Sequence, residues 1–369
     1  MKNNLLWIAV AAVIGSSLVS LPARSDADVA DVSSRVDAVF APVSRTDGPG
    51  CAVTVVKDGQ VVHERGYGMA NLDYRVAISP DTVFYIASVS KQFAAAAIAL
   101  LAEEGKISLD DDIRKYVPEI RKYKKPILVR HLVHHTSGLR DYLDLWSSSG
   151  RSYADSIPEA EAIALIAKQD GLDFLPGSQY KYSNSGYFLL SVIVKRASGQ
   201  SLSQYTEAKI FAPLGMRNTH FHDDRTRIVP NRATAYFTKK PEEGAGQGAF
   251  QTSFDLVGDG GLLTTVRDMV RWDQNFYNNV LGTRGAALIE QLQSTEPLTD
   301  GKPSTYAFGL MHRDLEGLKA IGHSGSFIGF RADYLRIPEQ KLSAITLCNG
   351  AMDAGKMNRE ALSIFLSAR

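Results

Sequence analysis

Cysteine is nearly absent: Cys51 and Cys348 are the only two in 369 residues, too few for a disulfide framework. Each adjoins a β-branched apolar run, Val53-Thr54-Val55-Val56 and Ile345-Thr346-Leu347. In an exported chain the pair could bridge if those two strands are neighbours; the alternative is two buried free thiols. Net charge is nearly absent too, at +1 from 41 basic and 40 acidic side chains, and with it any electrostatic footprint for nucleic acid. The densest basic run, Arg121-Lys122-Tyr123-Lys124-Lys125, reads as a solvated loop. No internal repeat is visible. The chain does carry a leader-like N-terminus: a charged Met1-Lys2-Asn3-Asn4, an apolar Leu5 to Val19, then Pro22 and small residues around Ala23 and Ser25-Asp26-Ala27. This is expected to be a secretory signal over residues 1–27, cleaved between about residue 20 and residue 27, leaving a periplasmic or secreted protein with no stable membrane span. No cysteine near the cleavage region offers a lipid anchor.

The remaining chain, with 44% hydrophobic and 22% charged residues, has ample core for one large domain over 28–369 or two interleaved ones. One stretch organises it. Phe84-Tyr85-Ile86-Ala87 is β-branched and aromatic, Ser88-Val89-Ser90-Lys91 follows, and an Ala/Leu-rich segment runs to Glu103-Glu104-Gly105. That segment is apolar on every face, so it predicts a buried helix with Ser88 at its mouth. Lys91, one turn on, shares the face of Ser88. A cation in the first helical turn opposes the dipole, and with desolvation this favours a neutral amine beside a hydroxyl: a base beside a nucleophile. The same Ser-x-x-Lys spacing recurs at Ser178 to Lys181, so spacing alone does not decide.

Further elements follow from periodicity and turn chemistry. Helices are predicted over Val29 to Phe40, Ala160 to Lys168, Tyr187 to Ala197, Thr265 to Tyr277 and Met357 to Ser367. Ala52 to Val56 and Val61 to Tyr67 flank Asp58-Gly59 and predict a hairpin. Strands are predicted over Tyr306 to Leu310, Phe327 to Ile337 and Leu342 to Leu347, and a flexible loop over Thr238 to Gly248. Strands at both ends and helices between them predict an α/β (α+β) fold. A sheet lobe is expected over about 28–87 and 302–369, with a helical lobe inserted over about 88–301.

Two later stretches join Ser88 and Lys91. Tyr182-Ser183-Asn184 follows a Pro176-Gly177 turn and precedes a buried helix; a phenol near a lysine can share its proton, and an amide can hold a substrate carbonyl. Gly322-His323-Ser324-Gly325-Ser326 opens the predicted strand from Phe327, where glycine permits close approach of a ligand. Ser-x-x-Lys, Tyr-x-Asn and His-x-Gly in this order resemble the three motifs of the penicillin-recognising serine hydrolases, in the branch of class C β-lactamases, D-Ala-D-Ala carboxypeptidases, D-aminopeptidases and related esterases. Leu132 to Leu139, Pro213-Leu214-Gly215-Met216 and Gly260 to Thr265 are similar to that family as well, so the resemblance covers about residues 35 to 365.

The resemblance implies an enzyme without cofactor or metal that works through an acyl-enzyme on a small amide, ester or peptide, peptidoglycan fragments included. Ser88 would be the nucleophile, Lys91 its activating partner and Tyr182 the general acid/base. Asn184, His323, Gly325 and Ser326 would bind substrate, with the Ser88 and Ser326 amides as the oxyanion hole. His323 departs from the Lys usual in β-lactamases and carboxypeptidases and is similar to D-aminopeptidases and some esterases. A neutral imidazole there implies a weaker preference for carboxylate-bearing substrates. Three rivals fit less well. Gly322 to Ser326 lacks the last Gly of a G-x-S-x-G elbow and no histidine follows it. His220-Phe221-His222-Asp223-Asp224-Arg225 ends in Arg where a zinc string needs a ligand. A non-catalytic penicillin- or peptidoglycan-binding protein would not need Ser88, Lys91 and Tyr182 together.

Overall fold

The computed structural model describes residues 26–367 apart from 241, 243, 245 and 251, with side chains from residue 31 onward. All but the last two residues of the expected leader lie outside the described residues. Six antiparallel strands make the main sheet: β1 (Cys51–Lys57), β2 (Gln60–Tyr67), β3 (Met311–Leu315), β4 (Leu318–Phe327), β5 (Phe330–Ile337) and β6 (Leu342–Cys348), in the spatial order β3-β4-β5-β6-β1-β2. Strands from the two ends of the chain therefore meet at the β6–β1 seam. There Cys51 lies directly opposite Cys348 and the two form a disulfide. The β1–β2 turn takes positive φ at both Asp58 (51°) and Gly59 (78°), which suits the twist of a two-residue hairpin.

Alternation along β1 feeds two cores. Ala52 and Val56 point to the helical lobe, whereas Cys51, Val53 and Val55 pack on the other face. That outer face is covered by helices α1 (Asp26–Phe40) and, closing the chain, Ala354–Ser367. Because both faces are covered, β1 and β6 are buried nearly throughout, and each fully buried valine contributes on the order of 2 kcal/mol. The helical lobe is built on α2 (Lys91–Glu103), every residue of which from Lys91 to Leu101 is buried. Its Phe93 ring sits 4.5 Å from Trp272 and 5.6 Å from Phe211. Across α2 lies α3 (Asn184–Ser198), ended by Gly199 in the left-handed region. No helix among the described residues is long and apolar enough to cross a membrane.

Three local expectations are corrected. The strand predicted over Tyr306 to Leu310 forms five residues later, as β3; Tyr306 makes only a single bridge to Met311, because its ring is drawn into the buried site. Gly322 to Ser326 does not open the strand from Phe327 but closes β4, and the chain reverses at Ile328-Gly329 into β5. Gly329 takes φ 75° there, a turn signal hidden inside an apolar run. The loop predicted over Thr238 to Gly248 has strand at both ends, since Ala235–Thr238 pairs with Gln247–Phe250.

Candidate active site

Ser88 lies in a 3-10 turn (Ala87–Ser90) that leads directly into α2. Two contacts hold that turn on the short strand Leu262–Thr264, Ile86 N donating to Leu262 O at 3.1 Å and Leu262 N to Ser90 Oγ at 3.1 Å, and Val89 N closes the turn on Ile86 O at 3.1 Å. Ala87, immediately before the serine, has φ +48°. A β-carbon is disfavoured in that region, and such positions persist only where surrounding packing dictates them. The packing here is β4. The strand β3 pairs with β4 only as far as Gly322, so His323 to Phe327 presents an edge to the Ser88 turn. At Gly325 an added β-carbon would lie 2.3 Å from Ile86 O and 3.1 Å from Ser88 N, so only glycine allows this approach.

Lys91 is the first residue of α2 and fully buried. Its Nζ donates to Ser88 Oγ at 3.0 Å, Asn184 Oδ1 at 2.8 Å and the Asp259 carbonyl at 2.6 Å. It also stands 4.8 Å from the centre of the Tyr182 ring. Burial pulls the Lys91 pKa down to about 8, against the upward pull of Asp259 and then Asp141. The amine is therefore about one-tenth neutral at pH 7. Tyr182 is pushed the other way: burial holds its phenol protonated, with the Ser88 hydroxyl as the group that favours the anion. The Tyr182 hydroxyl makes no well-formed hydrogen bond within the protein. Of the two, Lys91 is the group able to accept a proton near neutral pH, and Tyr182 is the one able to give one.

Two carboxylates complete the arrangement, and neither is evident from the sequence. Asp141 caps the helix Tyr142–Ser148 through Leu143 N and accepts from both Asn184 N (2.7 Å) and Asn184 Nδ2 (2.9 Å). The Asn184 amide is thus fixed with its oxygen toward Lys91, and one Nδ2 hydrogen is left for a substrate carbonyl. Asp259 is buried, receives the Tyr142 hydroxyl on Oδ2 at 3.1 Å and has no partner on Oδ1. Its pKa rises to about 6, from burial first, with Lys91 lowering it and Asp141 raising it. The only sequence hint at Asp259 was a lone acid among glycines 258, 260 and 261, and it lies 168 positions from its lysine.

His323 is buried and neutral. Its Nδ1 donates to the Ser324 carbonyl at 2.6 Å, and its Nε2 accepts from the Tyr306 hydroxyl at 3.0 Å. Burial, with Lys91 nearby, lowers its pKa to about 3. Both ring nitrogens being occupied, His323 has no hydrogen-bonding group free for substrate, which departs from the expectation that it binds one. His135 is likewise neutral, well below its usual pKa through burial; its Nδ1 accepts from Ser183 N at 3.2 Å and its ring lies 4.3 Å from those of Tyr182 and Tyr306. It braces the tyrosines.

Ser88, Tyr182, Asn184, His323, Gly325 and Ser326 line one cavity of about 720 Å³. Lys91 sits behind Ser88, so all seven residues named from the sequence meet here. The decoy Ser178 instead donates to Leu175 O on an exposed turn. The profile of the family described as Beta-lactamase matches residues 36–369. The chain belongs to the Beta-lactamase family. Among related proteins of known name, it is 31% identical to a D-aminopeptidase of Gluconobacter oxydans over 86% of this chain and 59% of that one. It is 30% identical to a D-aminopeptidase of Brucella canis over 86% and 60%. The chain thus spans about three-fifths of the length of these relatives. Among solved structures it resembles the octameric penicillin-binding protein homologue from Pyrococcus abyssi, with TM-score 0.79, 28% identity, and 92% and 78% of the two chains covered. The D-amino acid amidase of Ochrobactrum anthropi SV3 gives TM-score 0.75 at 20% identity over 92% and 99%. The family and the β-lactamase/transpeptidase-like fold expected from Ser88, Tyr182 and His323 are thus those the chain has.

Proposed function

We propose that this Beta-lactamase family protein is an exported serine hydrolase that acts through an acyl-enzyme on small amides and esters, D-amino-acid peptides and amides foremost. The observation that carries the chemistry is the buried Lys91 Nζ, 3.0 Å from Ser88 Oγ and held by Asn184 Oδ1. In its neutral form that amine takes the proton of Ser88 as Oγ bonds to the substrate carbonyl carbon. The oxyanion is received by the Ser88 and Ser326 amides. The leaving amine or alcohol takes a proton from Tyr182, which Lys91 restores; water then attacks the acyl ester by the same route in reverse. The D-aminopeptidase relatives and the histidine at position 323 support the substrate class. The Cys51–Cys348 disulfide supports an oxidising compartment, as does the leader-like N-terminus.

The test is a substrate panel of D-Ala p-nitroanilide, its L-isomer, D-Ala-D-Ala, a chromogenic β-lactam and p-nitrophenyl acetate, with fluorophosphonate labelling mapped by mass spectrometry. Turnover of the D-anilide over the L-isomer, with the adduct on Ser88, is the expected result. An adduct elsewhere would overturn the mechanism. A preference for the β-lactam would overturn the substrate class.

A further inference from the structure

A second cavity, of about 400 Å³, is lined in part by residues next in sequence to those of the first, Phe327 after Ser326 and Phe330 before Arg331. Tyr85, three residues before Ser88, and Phe327, the residue after Ser326, form one side of it with ring centres 5.3 Å apart; Phe330 continues that side 5.9 Å from Tyr85. Phe250 and Ile328 add to the apolar lining. Into this space, whose remaining lining is alanines with Thr234, Thr252 and Asp73, comes Arg232. Its backbone is fixed: Val83 N donates to Asn231 O at 3.0 Å and Ala233 N to Val83 O at 2.9 Å. Its side chain is half-buried, and burial lowers its pKa.

The partners of Arg232 do not account for it. A guanidinium has five N–H donors and a charge that stays on at any working pH. Among the described residues Arg232 forms no ion pair, and its one hydrogen bond is from a terminal nitrogen to His222 Nε2 at 3.2 Å. That bond makes Nε2 an acceptor, so His222 Nδ1 carries the proton and donates to His220 Nε2 at 3.3 Å. Both histidines are buried, with pKa values lowered to about 4 by burial and the nearby arginines. They are neutral and supply no counter-charge. Asp73 stands exposed on the rim without pairing with Arg232. A half-buried guanidinium with most donors unused, facing aromatic walls, matches an anion with an apolar body: a carboxylate takes the planar fork in bidentate fashion, and the rings take the rest.

We propose that Arg232 and this aromatic cavity form a binding site for a monocarboxylate with an aliphatic or aromatic body, separate from the cavity at Ser88. Its occupant packs against Tyr85 and Phe327, three residues before Ser88 and one after Ser326, and so is placed to alter turnover. The test compares 3-phenylpropionate and hexanoate with 3-phenylpropionamide and hexanamide by titration calorimetry on the whole protein at pH 7.5. In the native protein each carboxylate binds at least about tenfold tighter than its amide. Arg232→Gln abolishes that difference, Arg232→Lys keeps part of it, and Phe330→Ala weakens acid and amide alike. Arg313 lines the catalytic cavity instead, so Arg313→Gln leaves the difference intact. Equal affinity of acids and amides, no binding of either at millimolar concentration, or a difference that vanishes in Arg313→Gln and survives in the Arg232 variants would each overturn the proposal. Should Arg232→Gln fail to fold, the lysine variant decides: a difference undiminished there is equally fatal.

Discussion

Replacing Asp259 by Asn removes one buried negative charge while keeping the group's shape and the backbone carbonyl that receives Lys91 Nζ at 2.6 Å. Asp259 is the first of the groups holding the Lys91 pKa up against burial, with Asp141 second. Without that charge the ammonium loses stabilisation and the amine is neutral at lower pH. A unit charge within a few ångströms at an effective dielectric of about 20 is worth up to roughly 4 kcal/mol, or about three pH units as an upper bound. The acid limb of kcat/KM, set in the native protein by Lys91 at about 8, is therefore expected to fall by at least about one unit. The assay is the pH profile of D-Ala p-nitroanilide hydrolysis from pH 4.5 to 9.5, run in parallel with the rate of fluorophosphonate labelling, which needs no particular acyl group. Stability gives an independent reading. The folded-state pKa of Asp259 is raised to about 6, above the unfolded value, so the fold favours its protonated form and loses stability as pH rises from about 4 through 6. The Asn variant escapes this loss, and its Tm at pH 8 should not fall below that of the native protein. A limb that stays in place, or moves to higher pH, would refute the assignment of Lys91 as the titrating base.

Four further outcomes follow from the same geometry. Lys91→Ala and Tyr182→Phe should each lower kcat by about 10² or more, with unchanged circular dichroism; near-full activity in either removes that residue from the mechanism. Gly325→Ala should cost about 1–3 kcal/mol of stability and most of the activity, because its methyl must displace Ile86 O from 2.3 Å; a thermal melt and a kcat measurement check both. Asp141→Asn should raise KM and lower kcat together, since it loosens Asn184 and removes a second charge near Lys91; an unaltered pH profile with altered kinetics would confine its role to Asn184. His323 should contribute no inflection to kcat/KM above pH 5, because its pKa lies near 3; His323→Asn should keep the native limbs, and a limb lost in that variant would show that the imidazole titrates.

What could be read from the chain and what could not divide along a physical line. Ser88 and Lys91 were legible because one helical turn separates them, and local geometry ties such spacing to a shared face. The hairpin at Asp58-Gly59 was legible because its turn requires positive φ. Asp141, Asp259 and Tyr306 were not, although each touches the same cluster. Their partners lie 43, 168 and 17 positions away, and nothing local marks a residue whose role is set by tertiary packing. The misplaced strand near Tyr306 and the hairpin hidden at Ile328-Gly329 have one cause. Apolar content there serves the buried site and the sheet together, so period-two reading could not separate a strand from a turn within it.

The same limit bears on substrate charge. From the sequence, a neutral residue at position 323 implies that the cavity has lost its hold on carboxylates. The structure agrees on neutrality: His323 is buried, and both nitrogens are engaged by Ser324 and Tyr306. Yet the cavity it lines also contains Arg313, which reaches across from β3. That guanidinium donates to Ser324 Oγ at 3.1 Å and stands 3.9 Å from Asp333, a buried carboxyl whose pKa is raised to about 6 by burial. A partner at that distance, itself inclined toward protonation, offsets the arginine only in part. The cavity therefore keeps a cation, ten positions earlier in the chain and one strand over. It follows that the residue at position 323 does not by itself set charge selectivity here, because Arg313, Arg331 and Arg359, with Asp333 and Asp353, line the same cavity from neighbouring elements.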